Sequence, residues 1–306
     1  DSTVQMKEVS NERKTQMILD TKDPNVKAAM AKGNFAPVMD AYKIEAYSPD
    51  STAVVFDVTK FFVGNNSWLQ PFDPYSQRTY YGMAARFIKY QKDLSYVDEI
   101  KAFEDNISIT SSLSYLQDII YMGIVMFAHN EPVTAKVNCS LVLLPEEPSM
   151  RPRIADPRVG YFFGYKSNVS TTQDGIKDIY FINRWDVQPK DVEAYKRGEL
   201  VEPVKPIVFY VDDAFPELWK QPIKEGTLRW NAAFEKIGFK NAVQVRDFPA
   251  DDPEFDPDNL KYSCIRYLPS STANAMGPSW VDPTTGEIIN ASVLVYNDVI
   301  RLINNW

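Results

Sequence analysis

Histidine and cysteine are scarce in this chain of 306 residues, which has one histidine and two cysteines. A helical HExxH zinc site needs two histidines, so the sequence contains no such motif. Any Ser-His-Asp or Cys-His catalytic unit would have to use His129, and its turn-like setting in AHNEP favours a surface role instead. Cys139 and Cys264 lie far apart in the sequence, which favours two buried free thiols over a disulfide.

The chain also lacks an excess of positive charge and any long apolar run. It has 33 basic and 41 acidic residues, a formal net charge of -8 and a pI near 4.9. Nucleic-acid binding depends on clustered lysine and arginine, so no nucleic-acid partner is expected. The longest apolar run, residues 119–128, is about half the length of a membrane-spanning helix. No membrane span is therefore expected, and the run is predicted to be a buried strand.

Motifs for phosphate and metal binding are missing too, since the sequence has neither GxGxxG nor CxxC. The loop at 251–258 is acidic enough to surround Ca²⁺ in principle, but it lacks the glycine and the spacing of a dedicated calcium loop. A solvated loop is the favoured interpretation. Asp212 and Asp213 follow a predicted strand and could form a carboxylate pair with Glu287, although nothing in the sequence brings the three together.

What the chain does have is a long series of strand-like segments that begins at Tyr42, with turns rich in proline, glycine and aspartate between them. Such a series is typical of an antiparallel sheet. After a short predicted helix that Gly198 ends, the pattern changes to a buried strand at 206–213 and a helix from Pro222 to Gly238. The sequence thus predicts an α+β protein with a polar N-terminal arm at 1–40, an antiparallel β-rich domain at 41–202 and a smaller mixed domain at 203–306.

Three segments carry a resemblance to a known family. RPRIADPRVGYF (151–162), KRGELVEPVKPIVFYVD (196–212) and DPTTGEI (282–288) resemble the large bacterial, secreted or cell-envelope, zinc-dependent metalloproteases of metzincin type. The similarity runs from about Tyr42 to Trp306. It implies a sheet-rich module followed by the upper half of a metzincin-like peptidase domain, which is a twisted sheet with one long helix. It also implies that the chain ends before the HExxH helix, the general-base glutamate and the Met-turn.

The resemblance implies that the complete protein hydrolyses peptide bonds in a peptide or protein substrate, using a Zn²⁺-activated water and a glutamate base. A secreted, periplasmic or cell-envelope location is expected. This chain alone is expected to bind no zinc, to be inactive and to self-associate through the incomplete peptidase half. The alternatives are a cell-envelope binding or scaffold protein with a peptidase-like half and no activity, and a carbohydrate-binding role for the aromatic-rich first domain.

The segment from Asn274 to Tyr296 carries the predicted substrate site. It consists of two strand-like runs closed by a turn, and the first run contains Pro278, which lacks a backbone N–H. In metzincin-like peptidases the edge strand of the upper sheet borders the cleft, and the substrate adds to it as an antiparallel strand. The resemblance implies that Ala275 to Val281 is this strand. The predicted substrate-binding residues are Ala275, Met276, Gly277, Pro278, Ser279 and Trp280. Without the resemblance, a protected edge strand that binds nothing is the favoured interpretation.

Overall fold

The architecture of the protein is described from a computed structural model. It describes residues 3–7, 24–33, 38–66, 68–72, 84–122, 125–169 and 176–305. These residues form a mixed α and β structure in which strands predominate, as the sequence predicts. They divide into two compact units, the first formed by the described residues up to Leu143 and the second by those from Leu144 onward. None of the described helices combines the length and the apolar character that crossing a bilayer requires.

The first unit begins with a three-stranded antiparallel sheet in the order β1-β2-β3. Its elements are β1 (Thr3–Lys7), α1 (Pro24–Gly33), β2 (Val38–Tyr47) and β3 (Val54–Phe56). A turn joins β2 to β3, and in it the Asp50 carboxylate accepts hydrogen bonds from Ser48 Oγ, Thr52 N and Thr52 Oγ1. Most of the predicted N-terminal arm, 1–40, lies outside the described residues. Within it, β1 pairs with β2, and α1 forms a helix of ten residues.

A second antiparallel sheet of the first unit is built around one long strand, β6. The elements are α2 (Thr59–Phe62), β4 (Ala84–Tyr90), a 3₁₀ turn (Lys92–Leu94), β5 (Tyr96–Ala102), β6 (Asn106–Tyr121) and β7 (Val125–Val142). β7 pairs along most of β6, while β5 and β4 share the other edge of β6. The apolar run 119–128 is not one buried strand as predicted. It covers the end of β6 and the start of β7, because the chain turns at Met122, whose φ is 50°.

Aromatic and aliphatic side chains form the core of the first unit. The buried members are Tyr42, Phe61, Phe62, Leu69, Ile109, Leu113 and Tyr115. They come from β2, from α2 and the loop after it, and from β6, so α2 and its loop are fixed to the two sheets by apolar burial.

The second unit begins with a two-stranded ribbon and a short helix. β8 (Phe163–Val169) pairs with β9 (Ile176–Ile182), and α3 (Val192–Lys196) follows. The Asp191 carboxylate caps α3 by accepting a hydrogen bond from Ala194 N, and Gly198 ends the helix with a φ of 84°, as predicted. Ala194 and Val201 are buried together with Phe239 and Ala242, which lie much later in the chain.

The main sheet of the second unit has the strand order β11-β10-β12-β16-β13. Neighbouring strands are parallel, except for β13, which runs antiparallel to β16. A separate two-stranded sheet joins β14 and β15. The elements are β10 (Ile207–Val211), α4 (Glu217–Leu228), α5 (Asn231–Glu235), β11 (Val243–Asp247), β12 (Ser263–Leu268), β13 (Ala275–Met276), β14 (Ser279–Val281), β15 (Ile288–Ala291), β16 (Val293–Tyr296) and α6 (Val299–Asn304).

The long helix predicted from Pro222 to Gly238 is wrong in its start and in its continuity. α4 begins at Glu217, and Pro222 lies inside it. Phe215 is buried in the core and Trp219 packs against the same core, so tertiary packing extends the helix to the N-terminal side of the proline. The helical segment is then interrupted between α4 and α5. The predicted stop at Gly238 is confirmed by its φ of 94°.

The two compact units divide at Leu143, which differs from the predicted boundary near Glu202. The segment 144–202 packs with the residues that follow it, as shown by the β-bridges of Arg184 with Glu287 and of Val201 with Phe239. Compact units of a structure need not coincide with domains that fold separately. The predicted domain boundary near Glu202 therefore stays a prediction.

Candidate functional site

The predicted substrate strand lies at an exposed sheet edge. β13 is the last strand in the order of the main sheet, and among its described strands it is the one that runs antiparallel to its neighbour. Ala275 pairs with Val295 and Met276 with Leu294. Residues 274–279 are exposed, and Met276 exposes 51% of its surface. This edge of β13 is therefore accessible to an added strand.

The segment Ala275–Val281 is divided rather than continuous, which corrects the prediction of one edge strand. The chain leaves the main sheet at Gly277-Pro278, and Ser279–Val281 pairs with β15 instead. Pro278 has no N–H to give to a sheet, but its carbonyl accepts a hydrogen bond of 3.0 Å from Ser292 N. Ala275 and Met276 thus belong to the sheet edge, Gly277 and Pro278 to the break, and Ser279 and Trp280 to the β14–β15 hairpin.

Gly277 leaves open space beside this edge. Its φ lies outside the left-handed region, so the backbone there accepts other residues. A Cβ added at Gly277 would meet only Val293 Cγ2, at 4.0 Å, which is an ordinary van der Waals contact. The glycine is therefore not required by the packing of this chain.

The turn that closes the β14–β15 hairpin is buried. Asp282 is 3% exposed and Thr285 is 0% exposed. The Asp282 carboxylate accepts hydrogen bonds from Thr284 N at 2.7 Å and from Thr284 Oγ1 at 2.6 Å. Gly286 has a φ of 78°, and a Cβ added there would lie 2.4 Å from the carbonyl oxygen of Ile182. This turn accepts only glycine at that position.

A buried lysine supports the turn from the β8–β9 ribbon. Lys166 is 2% exposed, and its Nζ donates a hydrogen bond of 2.8 Å to Thr284 O. Burial lowers the pKa of Lys166 to about 8, while the Asp282 carboxylate opposes this shift. Burial also raises the pKa of Glu287, in the same hairpin. The hairpin is thus held in part by the ammonium group of a lysine that has little contact with water.

Arg184 joins two of the segments that carry the family resemblance. Its N–H donates to Gly286 O, and its carbonyl accepts from Ile288 N, both at 2.9 Å. Its guanidinium donates to Arg151 O, also at 2.9 Å. RPRIADPRVGYF and DPTTGEI therefore meet at Arg184. Through this residue the first segment supports the hairpin to which the second belongs. The sequence analysis did not identify Lys166 or Arg184. Each is a basic residue in or beside a strand-like segment rich in aromatic residues, and this pattern could have indicated a buried charge.

The candidate carboxylate pair does not form. The Asp212 carboxylate accepts hydrogen bonds from Ala214 N at 2.9 Å and Tyr267 N at 3.2 Å, so it holds the end of β10. The charged groups that act on the Glu287 carboxyl are Asp186, Lys205, Asp282 and Arg184. Neither Asp212 nor Asp213 is among them.

The acidic loop at 251–258 is ordered by its own backbone and by an ion pair. Asp252 and Asp256 each accept a hydrogen bond from an N–H two residues later, and Asp258 pairs with Arg266 at 3.2 Å. Within the described ranges, no three His, Cys, Asp or Glu side chains are grouped so that they could hold a metal ion.

The histidine and the cysteines take no part in the candidate site. His129 is exposed within β7 rather than in a turn, and its Nδ1 lies 3.2 Å from Asp118 Oδ1. Cys139 and Cys264 are both free thiols, as predicted; Cys264 is buried, but Cys139 is only half-buried. Burial raises the pKa of the Cys264 thiol to about 12, so this thiol is unreactive at neutral pH.

The chain was compared with protein families, curated proteins and solved structures. Residues 2–190 match the family described as "Domain of unknown function (DUF5117)". No curated protein and no solved structure matches the chain. The matched segment includes the whole of the first unit from residue 2, the β8–β9 ribbon and Arg184. Because it covers more than half of the 306 residues, the chain belongs to the family of proteins that carry the domain of unknown function DUF5117.

Proposed function

We propose that residues 203–306 belong to the peptide-binding half of a zinc-dependent metalloprotease of metzincin type, and that the preceding residues are its sheet-rich N-terminal module. One observation carries the proposal. β13 is an exposed edge strand that runs antiparallel within an otherwise parallel sheet, and it lies within the segment for which the resemblance implies substrate binding.

The order of elements supports this proposal. A strand (β10), a helical segment (α4 and α5), two further strands (β11 and β12) and the segment from β13 to β16 follow one another along the chain. This is the order that the resemblance implies for the upper half of the peptidase domain. The helical segment is divided into α4 and α5 rather than being the single long helix implied, so the agreement lies in the order of elements rather than in helix continuity.

Exposed apolar surface near β16 also fits a domain that is completed by further residues. β16 is second from the sheet edge, yet none of its residues is fully buried. In the following helix α6, Ile300 is 42% exposed and Ile303 is 62% exposed. Surface of this kind is suited to cover by another half of the domain or by a second copy of the chain.

The chain's own part in hydrolysis would be to bind and orient the substrate. A peptide placed beside β13 would exchange main-chain hydrogen bonds with the strand, and Gly277 would leave room for its backbone. Zinc, held by an HExxH helix elsewhere in the complete protein, would supply an activated water. No residue of the chain is assigned as a metal ligand or as a general base. The proposed location is secreted, periplasmic or in the cell envelope.

The test compares two glycines in the longest natural protein that contains this chain, with casein as the substrate. Gly277→Val should lower the rate of hydrolysis at least tenfold, because the valine occupies the space for the peptide backbone, while Tm changes by no more than about 2 °C. Gly160→Val is the matched control, because a Cβ at Gly160 meets nothing within 4 Å and so has open space as well. It should leave both the rate and Tm unchanged.

Two results would contradict the proposal. If the two variants hydrolyse casein at equal rates, β13 does not bind the substrate. If the natural reading frame stops at Trp306, the alternative of a binding or scaffold protein replaces the enzyme.

A further inference from the structure

A pocket of about 370 Å³ lies in the first unit, where the short helix α2 and the loop that follows it border β2. Its volume falls within the range of small-molecule sites, which starts at roughly 300 Å³. The lining includes Met39, Asp40, Lys60, Asn65, Asn66 and Trp68. It therefore combines an aromatic ring with a carboxylate, an ammonium group and two amides.

Trp68 presents a large apolar surface in this pocket. It is 61% exposed, although the next residue, Leu69, is 4% exposed and belongs to the core. An indole exposed to this extent leaves apolar area in contact with water that a ligand could cover.

The backbone that carries Trp68 is fixed by Asn66. The Asn66 side-chain oxygen accepts hydrogen bonds from Trp68 N and Leu69 N, both at 3.1 Å. Its amide nitrogen donates to Phe61 O at 2.7 Å. The loop is thus tied to α2 on one side and to the core on the other, so a ligand would not have to order the backbone at Trp68.

The two charged groups of the pocket neutralise each other. Lys60 Nζ lies 2.5 Å from Asp40 Oδ1 and donates a second hydrogen bond, of 2.8 Å, to Ala41 O. The hydrogen bond from Lys60 lowers the pKa of Asp40, so the carboxylate is ionised at neutral pH.

Hydrogen-bonding capacity is left over in this pair. An ammonium group has three N–H donors, of which Lys60 uses two. The Asp40 carboxylate also receives Ala41 N and is acted on by the Tyr42 hydroxyl, and an ionised carboxylate can accept about four hydrogen bonds.

We propose that this pocket binds a sugar ring of a neutral glycan. One face of a pyranose ring consists of C–H groups and stacks on an indole, as Trp68 can provide. The hydroxyl groups at the ring edge both donate and accept hydrogen bonds, which matches the Asp40 carboxylate, the Lys60 ammonium and the Asn65 amide. The inference does not depend on the proposed protease function, because it concerns the first unit alone.

Other ligand classes fit the lining less well. A phosphate or a carboxylate would have to compete with Asp40 for Lys60, the one basic side chain among the described residues that line the pocket. A metal ion would find one carboxylate in the same described lining, already paired with an ammonium group. A wholly apolar ligand would remove water from Asp40 and Asn65 without replacing its hydrogen bonds.

The experiment measures binding of the intact 306-residue chain to an array that carries neutral glycans, sialylated glycans and sulfated glycans. The strongest neutral glycan is then titrated calorimetrically. Trp68→Ala should weaken its affinity at least tenfold, and Trp68→Tyr should keep most of it, because tyrosine retains an aromatic face. Trp230→Ala is the matched control, since Trp230 is 65% exposed and lies in the second unit; it should bind like the unchanged protein.

Three outcomes would overturn the proposal. The unchanged chain binds no neutral glycan above background, or it binds sialylated or sulfated glycans alone, or Trp68→Ala and Trp230→Ala have equal affinities. A loss of binding in Trp68→Ala counts in favour only if its circular dichroism spectrum matches that of the unchanged chain and Trp68→Tyr still binds.

Discussion

Two neighbouring segments of the second unit differ in burial in the opposite way from most proteins, because the strand is exposed and the turn contains buried residues. Residues 275–279, which include the strand β13, are exposed, whereas the turn at 282–286 contains Asp282 at 3% exposure and Thr285 at 0%. Turns normally run over the surface because water satisfies their backbone groups. Here Lys166 and Arg184 supply those partners from within the protein.

This difference in burial distinguishes the turn, which the fold requires, from the strand edge, which is free to bind a partner. At Asp282, Thr285 and Gly286, a change of side chain must be accommodated by buried neighbours. At the strand edge, Gly277 has room for a larger residue, and the backbone faces solvent. A binding surface is therefore expected at the strand and a stability determinant at the turn, and the following variants test this contrast.

The largest effect is expected from alanine at Gly286. The added Cβ would lie 2.4 Å from Ile182 O at a residue with φ of 78°, so Gly286→Ala should lower the free energy of unfolding by about 4 kcal/mol. Gly277→Ala is the matched control and should change it by less than about 0.5 kcal/mol. Urea denaturation followed by circular dichroism measures both. Equal losses in the two variants would show that the strand edge is as constrained as the turn.

The next effect is a pH dependence that comes from Lys166. Its pKa is about 8 in the folded protein and has an ordinary value of 10.5, so between these values the unfolded chain binds more protons. The free energy of unfolding should therefore rise with pH across this interval, and this contribution is lost as pH falls through 8. Relative to Lys166→Met, the rise should be at most about 3 kcal/mol. Denaturation curves of the two proteins at pH 7, 8, 9 and 10 measure it, and a constant difference between them would mean that Lys166 is accessible to water.

A smaller effect is expected at Asn290, which anchors the hairpin strand β15. Asn290 is 2% exposed, and its amide donates hydrogen bonds of 2.9 Å to Leu260 O and to Tyr262 O. Asn290→Ala removes both of these buried hydrogen bonds and should cost about 2 kcal/mol in thermal or urea unfolding. The exposed Asn297, which accepts from Tyr267 OH, is the control, and Asn297→Ala should cost less than about 0.5 kcal/mol. An Asn290 variant as stable as this control would show that water replaces the lost amide.

Features set by local chemistry could be predicted from the sequence. The helix stops at Gly198 and Gly238 depend on a left-handed backbone conformation that glycine adopts without strain, and both are confirmed. The strand-rich α+β character follows from alternation and turn residues, and it is confirmed too. The start of α4 could not be predicted, because packing of Trp219 outweighs the local signal of Pro222.

Features set by distant contacts could not be predicted. Nothing near Lys166 in the sequence indicates that its ammonium group meets Thr284, and nothing near Arg184 indicates a β-bridge with Glu287. The break at Gly277-Pro278 is visible in the sequence, but whether the two halves of the segment belong to one sheet or to two depends on their partners. The pocket beside Trp68 likewise follows from how α2 and its loop pack against β2.

The hydrogen bond from Lys166 to Thr284 also has a consequence for the order of events during protein synthesis. It joins residues 118 positions apart, so β8 leaves the ribosome roughly 6 to 24 seconds before the turn that it supports. β6 and β7 are adjacent in sequence and need no such delay. The first unit can thus fold while Lys166, Phe181 and Ile182, which are buried in the folded protein, are still in a nascent chain without the turn at 282–286. We expect translational pausing after residue 182 to increase aggregation or chaperone binding, and pausing after residue 290 to have little effect.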